Sequence, residues 1–241
     1  MLHFDFERAV LYAATLYSHA LTGEPHGPSP ARQGIIVLMT LSAEDRARRI
    51  KILLFDVDGV LTDGQLYFLP KDGGQPGPDG KLHGLEFKGF TAHDGLGINI
   101  ARLGGLRVGL ITKRESATVA IRASDLRLEF VYQGQSHKMT AVYDILQRAG
   151  CTLDQLAFVG DDVIDLPVLR VCGLAIATAN ARPQAKAAAH YITPNPGGQG
   201  AGRDAIEFIL AAQGKLDAAI EALLDADNPA AHDTFIGSGN M

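Results

Sequence analysis

From residue 50 onward the apolar positions alternate between two rhythms. Short runs rich in β-branched and large aliphatic residues, "IKILLFD", "LRVGLIT", "LEFVYQG", "LAFVGDD" and "LAIATAN", predict strands. Most are separated by stretches with apolar residues at helical spacing: "GLGINIARLG", "ESATVAIRASDL", "KMTAVYDILQRAG" and "VIDLPVLRVCG". This alternation predicts an α/β fold, a Rossmann-like parallel sheet with helices on both faces. Right-handed crossovers then bring the loops that follow the strands to one edge, where open α/β sheets bind ligands.

Three segments break the rhythm. Residues 64–90, "GQLYFLPKDGGQPGPDGKLHGLEFKGF", hold two extended stretches around a Gly/Pro-rich loop and predict an inserted β-hairpin. "TGEPHGPSPARQG" sets residues 1–38 apart as an N-terminal extension, and translation starting at Met39 would leave that extension out of the native protein. Ser42, three residues before Asp45, predicts a short capped helix before the first strand. The main domain is therefore expected over 39–213. Residues 214–241 begin as an amphipathic helix and end in small polar residues without period, expected to be disordered or to dock on a neighbouring subunit.

Composition narrows the classes. With 241 residues, 46% hydrophobic, the chain can bury a full core. A formal net charge of -5 argues against a general nucleic-acid binder. No apolar run is long enough to span a membrane, and the first residues lack a basic leader, so a cytoplasmic protein is expected. Cys151 and Cys172 have no metal-ligand spacing and lie in apolar surroundings, which predicts buried thiols rather than a disulfide.

The chemistry gathers at the predicted strand ends. Asp56 and Asp58 follow the first strand, Thr112 the second, Lys138 opens a helix after "VYQGQSH", and Asp161 and Asp162 follow "LAFVG", with Asp165 a turn later. Carboxylates suit a hard divalent cation, a hydroxyl and an ammonium suit an anion, and a carboxylate can act as a nucleophile. Taken singly, each has a plainer reading: an Asp-rich turn, a helix cap at Thr112, a solvated Lys138, acids favoured by a helix dipole in "GDDVID". A calcium-binding EF-hand loop does not fit, because Val60 takes its fifth position and Gly59 comes too early. All four sets on one sheet edge, in this order, favour a joint role.

At these residues the sequence resembles a family. "DVDGVLTDG", "LITKRES", Lys138 and "VGDDVIDLP" are similar, in order, to the four motifs of the haloacid dehalogenase superfamily, magnesium-dependent phosphohydrolases on a Rossmann-like sheet. The longer strings "GLEFKGFTAHDGLGI", "YQGQSHK" and "GGQGAGRDAIEFILAAQGK" resemble its small-cap group, typified by phosphatases of 3-deoxy-D-manno-octulosonate (KDO) 8-phosphate, which serve lipopolysaccharide synthesis as homotetramers. The resemblance implies that Asp56 is the nucleophile and Asp58 the general acid/base. It also implies that Asp56, Asp161 and the Asp58 carbonyl hold Mg2+, that Thr112 and Lys138 hold phosphate, and that Asp162 and Asp165 orient the ligands. Arg114 is the first candidate for the sugar acid's carboxylate and Lys88 the second. A phosphatase of nine-carbon sugar-acid 9-phosphates and a non-catalytic oligomerisation module remain the alternative readings.

Two departures from the family pattern bear on substrate choice. Lys113 stands where a glycine is usual, and the hairpin tip is longer than usual. "PNPGGQGAGRDAIEF", with Arg203, is read as a chain-bending turn ahead of an anion cradle. Asp63 is read as a residue that shapes the turn into the hairpin, and His93 and His137 as packing or solvent residues.

Overall fold

The computed structural model describes residues 41–225. The 1–38 extension, the Met39 start and the end of the 214–241 tail lie outside the described residues. In chain order the strands are β1 (Ile52–Phe55), β2 (Tyr67–Pro70), β3 (Gly84–Phe87), β4 (Arg107–Ile111), β5 (Phe130–Tyr132), β6 (Leu156–Gly160), β7 (Leu174–Ala177) and β8 (Tyr191–Ile192). The helices are α1 (Ala43–Ala47), α2 (Ala92–Leu103), α3 (Ala117–Asp125), α4 (Lys138–Ala149), α5 (Leu166–Leu169), α6 (Pro183–Ala188), α7 (Ala201–Ala212) and α8 (Leu216–Leu224).

Six strands form one parallel sheet in the order β5-β4-β1-β6-β7-β8. β1 is central because all four of its side chains are apolar, and a strand covered on both faces must be apolar throughout. Its alternate residues serve opposite faces. Leu53 and Phe55 pack with Ile98 of α2 and Ile206 and Ile209 of α7, while Ile52 and Leu54 pack with Val142 and Ile145 of α4 and Leu169 of α5. Ser42 caps α1 as its sequence predicts, its hydroxyl accepting the Asp45 N–H at 3.1 Å.

The chain leaves β1 towards β4 and β5, then crosses back to β6 on the other side of β1. The reversal opens a crevice at the carboxyl end of β1, the place where such sheets take ligands. The hairpin β2–β3 rises from the loop after β1, antiparallel, with Tyr67 opposite Phe87 and Leu69 opposite Leu85.

Three details differ from the sequence reading. β8 was not anticipated, since two residues carry no readable period. "VIDLPVLRVCG" forms only the single turn α5 preceded by a tighter turn, because Pro167 lacks an N–H and is tolerated only at a helix start. Cys151 is half-buried rather than buried. Cys172 is buried, and burial pushes its thiol up to about 12, so it is inert as a thiolate.

Candidate active site

β1 ends in an abrupt turn. Asp56 continues the extended backbone, its N–H donating to the Val159 carbonyl at 2.9 Å, so the acid inherits the rigidity of the sheet. Three residues on, Gly59 adopts φ +89°, a conformation that strains any residue with a Cβ. A Cβ at Gly59 would also fall on the Asp161 carboxylate. The glycine therefore permits both the turn and the approach of the β6 acid to the β1 loop.

β6 delivers Asp161, and Asp165 lies a turn later, fully buried. Lys138, the first residue of α4, reaches across with its Nζ 2.8 Å from Asp56 Oδ1 and 2.6 Å from Asp165 Oδ1. The other oxygen of Asp165 accepts the backbone N–H groups of Asp161 at 3.0 Å and Asp162 at 3.3 Å. Carboxylate oxygens of Asp56, Asp161 and Asp165 all lie within 4.8 Å of one another. Asp165 is thus committed to a lysine and two amides, whereas Asp161 Oδ1 is buried without a hydrogen-bond partner.

That orphaned oxygen decides which acids could hold a metal. A buried unpaired carboxylate oxygen is costly, and a divalent cation beside Asp56 and Asp161 would relieve it. An all-oxygen donor set suits Mg2+. The electrostatics agree. Burial pushes Asp161 up to about 7, with the charges of Asp56, Asp165 and Asp162 adding to it and Lys138 opposing. Burial likewise raises Asp56 to about 6 against the pull of Lys138. For Lys138 itself burial favours loss of the proton, but the two carboxylates outweigh it and hold its pKa above the usual lysine range.

The remaining expected residues are placed as follows. Thr112 is buried at the end of β4, its N–H donating to the Tyr132 carbonyl at 2.9 Å and its carbonyl accepting from Gln135 at 3.0 Å. Asp58 is less buried than Asp56 and receives Lys88 Nζ on Oδ1 at 2.5 Å, with Arg114 Nε 3.9 Å from Oδ2. Lys88 and Arg114, expected to face substrate, are thereby engaged with Asp58 and with Glu86. Asp162 is exposed and accepts the Val163 N–H at 2.7 Å, so it shapes the turn rather than facing the cluster. Lys113 is exposed.

The glycine-rich segment is a packing device. Cβ atoms at Gly197 and Gly198 would collide with the backbone of Gly59 and of Thr62–Asp63, and Gly198 N–H donates to the Val60 carbonyl at 3.0 Å. The segment therefore braces the loop after β1 from behind. The Arg203 guanidinium is engaged by Glu207, one turn along its own helix. Asp63 accepts the Gln65 N–H at 2.9 Å, the side-chain turn expected of it.

Two acids escaped the sequence reading. Asp94 is buried near the start of α2, accepts the Arg203 N–H at the start of α7 at 2.8 Å, and burial raises its carboxyl to about 6. Glu86 sits on β3 beside Arg114 and Lys88. Its signal was present in "LEFK": alternation along a strand turns Glu86 and Lys88 to one side and Leu85 and Phe87 to the other.

A parallel sheet with this strand order, an acidic cluster at the end of its central strand and a hairpin inserted just beyond define a haloacid dehalogenase-like hydrolase, and the model of that family matches residues 110–201. Comparison narrows the class. The chain is 40% identical over 174 residues to the 3-deoxy-D-manno-octulosonate 8-phosphate phosphatase KdsC of Escherichia coli, covering 72% of this chain and 86% of the relative. Its fold matches the crystal structure of the Yersinia pestis phosphatase of that name with TM-score 0.65 and 38% identity, covering 73% and 88% of the two chains. The Moraxella catarrhalis phosphatase, solved with magnesium, phosphate and KDO, matches with TM-score 0.66 and 36% identity over 74% and 96%. The chain belongs to the 3-deoxy-D-manno-octulosonate 8-phosphate phosphatase family.

Proposed function

We propose that this chain hydrolyses the phosphate monoester of KDO 8-phosphate, with Mg2+ as cofactor, in the making of lipopolysaccharide. The observation that carries the reading is the meeting, at one strand edge, of buried Asp56, the unpaired oxygen of Asp161 and the Lys138 ammonium. The family relationship and the magnesium, phosphate and KDO in the Moraxella catarrhalis structure supply the substrate and the metal.

Asp56 is the nucleophile. Its carboxylate attacks phosphorus, the bond to the sugar oxygen breaks, and an aspartyl phosphate forms. Asp58 donates a proton to the departing sugar alkoxide, then removes one from the water that hydrolyses the aspartyl phosphate. Its partial exposure, 21% against 5% for the Asp56 side chain, suits a group that must meet both sugar and water. Asp56, Asp161 and the Asp58 carbonyl would hold Mg2+, which when bound offsets the repulsion between carboxylate and phosphate. Lys138 holds Asp56 in place and, with Thr112, faces the phosphate oxygens. Asp165 orients Lys138 and the Asp161–Asp162 backbone. Arg114, its side chain 40% exposed, would face the sugar acid's carboxylate, with Lys88 buried behind it against Asp58.

A homotetramer completes the reading. Tyr67, Leu69, Leu85 and Phe87 share one face of the hairpin, and all are exposed in the single chain. A two-stranded ribbon with an uncovered apolar face is marginal alone, which supports its burial against other copies. Two free cysteines fit a reducing cytoplasm, and no helix among the described residues is long and apolar enough to cross a membrane.

The test is phosphate release with Mg2+ from KDO 8-phosphate, a nine-carbon sugar-acid 9-phosphate and simple sugar phosphates, with Asp56→Asn as the blank. Selective turnover of the eight-carbon substrate is expected. Preference for the nine-carbon compound would replace the substrate, and turnover of none would leave the alternative of a non-catalytic module.

A further inference from the structure

The second strand of the hairpin brings charge into the site as well as covering it. Lys88, its side chain wholly buried, donates to Asp58 Oδ1 at 2.5 Å and lies 3.7 Å from Glu86 Oε1. Arg114 Nη2 donates to Glu86 Oε2 at 2.6 Å, while its Nε stands 3.9 Å from Asp58 Oδ2. Two acids and two bases therefore form a ring in which each acid meets both bases, with the short contacts pairing Lys88 to Asp58 and Arg114 to Glu86. The Glu86 carbonyl also accepts from Thr118 Oγ1 at 3.1 Å, which fixes this point of the strand to α3. Burial works against ionisation of Glu86, but the Ser116 hydroxyl, Arg114 and Lys88 more than offset it and hold its carboxyl below the usual range.

We propose that Glu86 is a positioning residue for the sugar end of the substrate, holding Arg114 off the acid/base Asp58, whose one close cation is then Lys88. The proposal rests on the phosphatase reading above. Glu86 makes no contact with Asp56, Lys138 or Asp161 among the interactions described, so it acts through the two cations. Without it, the carboxylate left beside Arg114 is Asp58, which Lys88 already engages. A charge-assisted pair with Arg114 would then draw the guanidinium away from the sugar acid and fix Asp58 between two cations.

The consequence falls on a particular kind of substrate. A sugar alkoxide needs a proton to leave, and a sugar acid presents a carboxylate for Arg114. 4-Nitrophenyl phosphate needs neither, since nitrophenolate leaves unprotonated and carries no carboxylate. A residue that merely holds the hairpin in place would affect both substrates alike.

The experiment compares the Mg2+-loaded wild type with Glu86→Ala, Glu86→Gln and Glu86→Asp on KDO 8-phosphate and on 4-nitrophenyl phosphate. Glu86→Ala is expected to lower kcat and raise KM for the sugar-acid phosphate, reducing kcat/KM by about 10- to 100-fold. The kcat/KM for 4-nitrophenyl phosphate, which covers events only up to transfer of the phosphoryl group to Asp56, should fall by less than about threefold. Glu86→Asp should recover part of the loss and Glu86→Gln less. Equal losses on both substrates, or no loss on the sugar-acid phosphate, would overturn the proposal. A wild type that turns over 4-nitrophenyl phosphate but not the sugar-acid phosphate would instead remove the substrate reading, and the proposal with it.

Discussion

The carboxyl edge of the sheet and the hairpin beside it are built on opposite terms. At the edge, Asp56, Lys138 and Asp165 are buried at the ends of rigid elements, and Lys138 Nζ lies within 2.8 Å of a carboxylate oxygen of each acid. The hairpin keeps its large apolar residues in the open and turns Glu86 and Lys88 inward. Fixed groups suit the step common to every phosphate ester, where misplacement by an ångström is costly. An inserted ribbon suits the part that differs between substrates, since it can change without disturbing the sheet. On the proposed function, chemistry and selection are carried by different parts of one chain.

The contrast breaks first at the edge. Asp56→Asn should lower kcat by at least about a thousandfold while leaving the fold intact, because it removes the attacking group and a carboxyl that burial already disfavours as an anion. Steady-state phosphate release and a thermal melt check the two halves of that statement. Gly59→Ala is the next largest: a Cβ there meets Asp161, and the left-handed backbone alone costs about 1–2 kcal/mol. A fall in melting temperature together with Mg2+ binding weakened at least about tenfold, measured by calorimetric titration, is the expected outcome.

Acidity gives a finer probe of the same edge. In the metal-free chain burial raises Asp56 to about 6 and Asp161 to about 7, so the folded state keeps protons that the unfolded state has already released near 3.8. The sign follows: metal-free stability falls as pH rises through this window, and Mg2+ must displace those protons below it. Mg2+ affinity is therefore expected to rise with pH, by up to about a hundredfold per unit where both acids are protonated and about tenfold where only Asp161 is, until both are ionised. Titrations at a series of pH values give the slope. The smallest effect on the fold belongs to the hairpin. Changing both Tyr67 and Phe87 to Ser should shift the proposed oligomer towards smaller species in light scattering while the melting temperature moves by only a few degrees, since both side chains are exposed in the single chain.

Most of the sheet was legible because burial on both faces leaves near-continuous apolar runs, and the acids stood out against them. "ILLF" followed by Asp56, and "LAFVG" followed by Asp161, read directly as strand ends. What escaped depended on distance in sequence. Nothing local says that Asp94 binds the N–H of Arg203, or that Gly197 and Gly198 lie against the backbone of the loop after β1. The first contact comes from α2 and α7 packing together and the second from the turn before α7 lying behind the β1 loop, both tertiary outcomes. Glu86 was half legible: alternation gave its face, but not that Arg114, arriving from β4, would meet it there.

The most direct test of the account concerns the phosphoryl carrier. Asp58→Asn protein is mixed with Mg2+ and 4-nitrophenyl phosphate, whose nitrophenolate leaves without the proton Asp58 would give, so that the aspartyl phosphate forms while its hydrolysis lacks a base; it is then quenched in acid and digested for mass spectrometry. A phosphoryl mass increment on the peptide holding Asp56, absent when Asp56 is also changed to Asn, is the predicted result. Release of phosphate by the wild type with no increment at Asp56 under any quench time, or an increment on another residue, would contradict the account.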